Sequence, residues 1–112
     1  MAERQKVSTP QLEPRVLALI REVLARYPKV SRAILFGSRA KGTAKPYSDI
    51  DLALDGDLTA LEAGTIAEEL EELPLPQRFD VKQYGTIQNG ALREHIERVG
   101  IVVWNTDGLS SH

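Results

Sequence analysis

An unbroken apolar run, Ala33-Ile34-Leu35-Phe36, is closed by Gly37-Ser38 and followed downstream by the alternation Asp49-Ile50-Asp51-Leu52-Ala53-Leu54. The first pattern is that of a strand buried on both faces, which should be central in its sheet. The second has period two, so Ile50, Leu52 and Leu54 share one face while Asp49, Asp51 and Ala53 share the other. A carboxylate inside such a strand is disfavoured by propensity and needs a reason, of which a solvated sheet face is one and a charged ligand another.

The flanking segments supply the cover for this sheet. Val16, Leu17, Ile20, Val23, Leu24 and Tyr27 recur at helical spacing, which predicts an amphipathic helix opened by Pro10 or Pro14 and ended at Pro28. Thr59 and Glu62 form a capping box ahead of Ile66, Leu70 and Leu73, a stripe that Pro74 and Pro76 stop, with Glu68, Glu69, Glu71 and Glu72 as its solvated face. Phe79 to Tyr84 reads as a third strand, Asn89 to Val99 as a helix with Leu92, Ile96 and Val99 inward, and Ile101 to Trp104 as a last strand after Gly100. Helices and strands interleave, so the expected fold class is α/β (α+β), a small mixed sheet of about four strands flanked by helices.

With 112 residues and 42% hydrophobic residues, the chain suffices for one core and not for two. The expected domain is 9–105, with residues 1–8 and 106–112 as flexible termini. A net charge of −2 gives no basic field, so nucleic acid is not expected as a direct ligand. The absence of cysteine removes disulfides, thiolate metal sites and thiol nucleophiles, leaving oxygen or histidine to hold any metal. The segment Met1 to Val7 is polar and charged, and no stretch has the length and apolarity of a membrane span, so a cytoplasmic location is expected.

The chemistry concentrates between Gly37 and Leu54. A glycine directly after a strand permits a sharp turn and lets a phosphate approach backbone amides, and Ser38 adds a hydroxyl. If a short helix begins there, its first amides and positive end face the same anion. Asp49 and Asp51 lie about 6.5–7 Å apart between Cα atoms on one strand face, a pair able to bridge two divalent ions roughly 3.5–4 Å apart. Asp80 stands between Phe79 and Val81 and points away from both, so if the two strands are neighbours three carboxylates converge. Such a cluster favours a cation, and Mg2+ suits carboxylate and phosphate oxygens. Asp80 could instead form a surface ion pair with Lys82 or Arg78. Arg39, Lys41 and Lys45 suit either phosphate contact or a solvated loop.

The order Gly37-Ser38, then Ser48-Asp49-Ile50-Asp51-Leu52, then Asp80 on a later strand resembles the DNA polymerase β-like nucleotidyltransferase superfamily, and within it the minimal nucleotidyltransferase (MNT) proteins. The likeness extends from the first helix to Trp104. It implies the polymerase β-like palm fold, Asp49 and Asp51 as ligands of two Mg2+ ions (Mn2+ as an alternative), and Asp80 as a ligand of the catalytic ion and base toward the acceptor hydroxyl. It further implies nucleotide contacts from Gly37, Ser38, Arg39, Lys41 and Ser48, and ATP as substrate. Tyr47 stands where relatives more usually carry a small or acidic residue, and Lys41 and Lys45 where arginine is common.

The resemblance also implies a partner, since MNT proteins are commonly paired with a helical HEPN protein that they neutralise by adding AMP to a tyrosine. Two other roles fit the same residues. One is a non-catalytic nucleotide-binding protein that gates a HEPN complex, and the other is transfer to a small molecule, such as an antibiotic, by a homo-oligomer. His95, with no second ligand at metal spacing, is expected in a surface or core role, and Trp104 in the core.

Overall fold

The computed structural model describes residues 12–46 and 48–106. Pro10, Tyr47 and most of the expected flexible termini lie outside the described residues. Helix α1 (Pro14–Leu24) leads into β1 (Val30–Phe36), the one-turn helix α2 (Ser38–Lys41) and β2 (Ile50–Gly56). Helix α3 (Ala60–Glu71) then crosses to β3 (Phe79–Gln83). A 3-10 turn (Tyr84–Thr86), α4 (Gly90–Val99) and β4 (Ile101–Asn105) complete the described chain.

The strands lie in the order β3-β2-β1-β4. β1 is antiparallel to both β2 and β4, and β2 is parallel to β3. The parallel pair follows from α3, because parallel neighbours require a crossover rather than a hairpin. The sheet is therefore mixed, with the apolar run of β1 in an inner position as its sequence requires.

Period two divides the side chains between two cores. Ala33, Leu35, Ile50, Leu52, Leu54, Ile101 and Val103 pack against Val16, Ile20, Val23 and Leu24 of α1 and Ile66 and Leu70 of α3. The opposite face holds a smaller cluster of Ile34, Phe36, Ala53, Tyr84 and Ile96. Among the described residues, α4 is the long helix that contributes to this second face, and it packs on β1. Around Ala53, the β2–β3 side of that face carries the charged residues Asp51, Asp80 and Lys82.

Local chemistry sets the ends of the elements. Pro14 occupies the first turn of α1, but the helix stops at Leu24 rather than continuing to Pro28. Arg26 N and Tyr27 N instead bond to Val23 O and Leu24 O at 3.1 and 3.0 Å, tightening into turns because Pro28 disfavours helical geometry at Tyr27. Tyr27 leaves the helix and donates its hydroxyl to Glu69. The capping box forms as expected: Thr59 Oγ1 accepts from Glu62 N at 3.1 Å and Glu62 Oε1 accepts from Thr59 N at 2.9 Å, an arrangement worth about 1 kcal/mol.

The acidic run on α3 is not simply a solvated face. Glu69 also pairs with Arg26 at 2.6 Å, and Glu71 Oε2 accepts from Phe79 N at 2.8 Å, capping the start of β3. At the other edge, a register irregularity in the β1–β4 pairing puts Val103 and Trp104 against the same core. Arg21 Nε donates to the carbonyl of Val103 at 2.9 Å, so this edge is partly satisfied from within the chain. Thr106 N donates to Ser31 O at 3.0 Å, which ties down the first residue of the expected loose C-terminal segment.

Candidate active site

The site grows from the register of three strands. Phe36 is the Cα partner of Asp51 across the antiparallel β1–β2 pair, and Asp51 is the partner of Asp80 across the parallel β2–β3 pair. Directly paired residues share a sheet face, so Phe36, Asp51 and Asp80 form one transverse row. α4 packs over the β1 end of that row. There His95 meets Phe36 edge-on, with ring centroids 6.4 Å apart, which gives the histidine a packing role.

The turn after Phe36 is shaped around Asp51. Gly37 adopts φ 74° and ψ −153°, a conformation essentially reserved for glycine. A Cβ at Gly37 would overlap Asp51 Oδ2. The glycine therefore serves both the backbone turn and the close seating of the carboxylate. Ser38 opens α2 beside it, and Gly42, with φ 82°, closes the turn with its left-handed cap. Lys41 is exposed at the end of α2.

Burial, followed by the charges of Asp80 and then Asp49, pushes the Asp51 carboxyl up from its ordinary value to about 6, with Lys82 and Arg39 opposing. Asp49 is exposed immediately ahead of β2. Asp80 pairs with Lys82 Nζ at 3.6 Å, and these two side chains are 48% and 39% exposed. Among the described residues, no three His, Cys, Asp or Glu side chains stand close enough to hold one ion between them. Asp51 and Asp80 thus share a row, and the charges of Asp49 and Asp80 both act on Asp51. Two of the three acids remain in solvent, where repulsion is cheaply relieved by standing apart.

Arg39, expected as a phosphate contact or a solvated loop residue, is folded into the loop that follows it. It is only 6% exposed, and its guanidinium donates to backbone carbonyls of the following loop: Ser48 O at 3.0 Å, Pro46 O at 3.3 Å and Lys45 O at 3.4 Å. Ser48 fastens the same loop, accepting from Lys45 N at 2.8 Å through its hydroxyl, while its amide donates to Lys45 O at 3.0 Å. Gln77, which sequence reading passed over, adds a third tie through Nε2 to Pro46 O at 3.2 Å. No periodic or motif signal marks it, since its role comes from the loop's path in space. Lys45 is exposed on the loop and Lys41 at its start, which leaves both lysines accessible to an anion.

Comparisons with known proteins agree with this architecture. The family described as Polymerase beta, Nucleotidyltransferase matches residues 19–108. The chain is 35% identical over 89 residues to the Haemophilus influenzae protein named Probable protein adenylyltransferase MntA, covering 78% of this chain and 77% of that one. In fold it resembles a crystal structure of a toxin-antitoxin with AMP-PNP, with a TM-score of 0.66 at 22% identity over 87% of this chain and 77% of that one. It also resembles the structure of a tri-AMPylated Shewanella oneidensis HEPN toxin in complex with MNT antitoxin, with a TM-score of 0.65 at 20% identity over 87% of this chain and 76% of that chain. No helix among the described residues is long and apolar enough to cross a membrane.

Proposed function

Because the chain belongs to the polymerase β nucleotidyltransferase family, we propose that it moves AMP from ATP to a hydroxyl acceptor, a tyrosine on a HEPN-type helical protein partner, and so acts as an antitoxin. The observation that carries this reading is the Phe36–Asp51–Asp80 row with Gly37 folded against Asp51. The partner is supported by the similarity in fold to an MNT antitoxin bound to an AMPylated HEPN toxin, and the adenylyl group by the relative named an adenylyltransferase.

The donor set suits Mg2+ or Mn2+. All three acids supply oxygen, and Asp51 is held near 6 by burial and neighbouring negative charge, a burden that a divalent cation on this face would lift. Asp49, Asp51 and Asp80 would hold two ions, whose chemistry is to stabilise charge on the α-phosphate and on the departing pyrophosphate. In this reading the Gly37-Ser38 turn, with Lys41 and the Ser48 hydroxyl, receives the triphosphate. Arg39 holds the loop that positions Ser48 and Asp49. Asp80, at the open edge of the row, accepts the proton of the acceptor hydroxyl.

Incubation with labelled ATP, Mg2+ and the candidate HEPN protein tests the proposal. The expected result is a covalent AMP label on a tyrosine of that protein, absent with Asp51→Asn. Nucleotide binding with no label on any partner would instead assign the chain a gating role, and label on a small acceptor without a partner would assign it the other rival role.

A further inference from the structure

Lys82 is the Cα partner of Ala53, two register positions from the Asp51–Asp80 pair and so the next pair on the same sheet face. By register it lies on the side of Asp80 away from Asp49 and the Gly37 turn. Its ammonium stands 3.6 Å from Asp80 Oδ1. Arg39, whose charge also reaches Asp51, donates to loop carbonyls, and Arg32 and Arg93 lie over the Tyr84 ring.

We propose that Lys82 is the resident counter-cation of the acidic row: through its pair with Asp80 it holds the place of positive charge that a divalent ion would take, and metal binding must displace it. The inference rests on the reading of the aspartates as metal ligands. Both partners of the pair are substantially exposed, so the attraction is weak and the lysine can swing into solvent without leaving a buried charge behind. Displacement is therefore a competition that lowers apparent metal affinity rather than a block. It also supplies a positive charge to Asp80 whenever divalent ions are scarce, which limits repulsion between Asp80 and Asp51.

Mn2+ binding measured by electron paramagnetic resonance, without nucleotide at constant pH and ionic strength, separates this role from a general charge effect. Lys82→Met is expected to bind Mn2+ about two- to five-fold more tightly than wild type, the range set by the strength of an exposed ion pair. Lys82→Arg should stay close to wild type. Lys29→Met removes the same net charge from a residue paired with Glu62 at 3.1 Å, at the opposite end of β1, and should leave affinity unchanged. Circular dichroism checks the fold, and Lys82→Gln takes the place of Lys82→Met if that variant does not fold. Equal Mn2+ affinity in wild type and the neutral Lys82 variants overturns the displacement role and leaves the metal reading intact. No Mn2+ binding by any of the proteins overturns both.

Discussion

Asp51 Oδ2 occupies the space that a side chain on Gly37 would need. The turn that ends β1 and the carboxylate that begins the β2 row are thus one steric unit, and each restricts the other. Gly37→Ala should cost about 1–3 kcal/mol through backbone strain at φ 74°, and it should also push Asp51 out of its seat. The expected outcome is a lower melting temperature together with a loss of transfer larger than the unfolded fraction explains, read by labelled AMP incorporation at a temperature where the variant is folded. Full specific activity in the folded variant would refute this coupling.

Asp51 should also set a pH dependence of stability. Its folded pKa, about 6, lies above the ordinary value of 3.8, so between these values the native state binds more protons than the unfolded chain. The contribution to stability from this group is therefore greatest at low pH, falls as pH rises through that window and is flat above about pH 6. Asp51→Asn removes the penalty, so without divalent ions the variant should melt higher than wild type at pH 8. The difference between the two melting temperatures should shrink toward pH 4, and a difference independent of pH would contradict the assignment.

Arg39 is a loop clamp, and its geometry cannot be reproduced by a single ammonium. Arg39→Lys and Arg39→Ala should both loosen the segment that presents Ser48 and Asp49, seen as faster exchange of the Lys45 and Ser48 amides, with a raised KM for ATP. Unchanged exchange in that segment would remove the clamp from the account.

Beneath α4, the hydroxyl of Tyr84 donates to Glu97 at 2.7 Å, and the Arg93 guanidinium lies 4.5 Å from the centre of the tyrosine ring. Tyr84→Phe keeps the ring packing and deletes the hydrogen bond, so chemical denaturation should show a loss of about 0.5–1.5 kcal/mol with little change in transfer. Tyr84→Ala should cost about 3–5 kcal/mol, because the smaller core cannot close over the missing ring.

Much of the fold was legible because single-element patterns dominate it. The run at Ala33–Phe36 demanded an inner strand, the alternation after Asp49 separated the two faces of β2, and Thr59 with Glu62 marked the start of α3. The pairing of Asp51 with Asp80 was legible only as a condition, since it needs β2 and β3 to be neighbours, and α3 makes them so. What escaped depends on where long side chains turn. Arg39 has the composition of an anion-binding residue, yet burial and three carbonyls hold it to its own loop. Glu69 and Glu71 look like solvent-facing acids, yet one meets Tyr27 and Arg26 and the other caps a strand. The partners of Glu69 lie 42 and 43 residues away, and those of Glu71 and Arg39, though only 6 to 9 residues on, follow the path of a loop rather than a helix or strand period, so no local spacing announces them.

Among the described residues, α4 and Tyr84 cover part of the second sheet face, while Asp80, at the edge formed by β2 and β3, stays 48% exposed. A folded macromolecule can meet that edge side-on, at full size, without threading a loop into a cleft or waiting for a flap to swing aside. Encounter should then be governed by surface fit and diffusion rather than by an internal gate, and the speed of the first productive contact should scale with solvent viscosity.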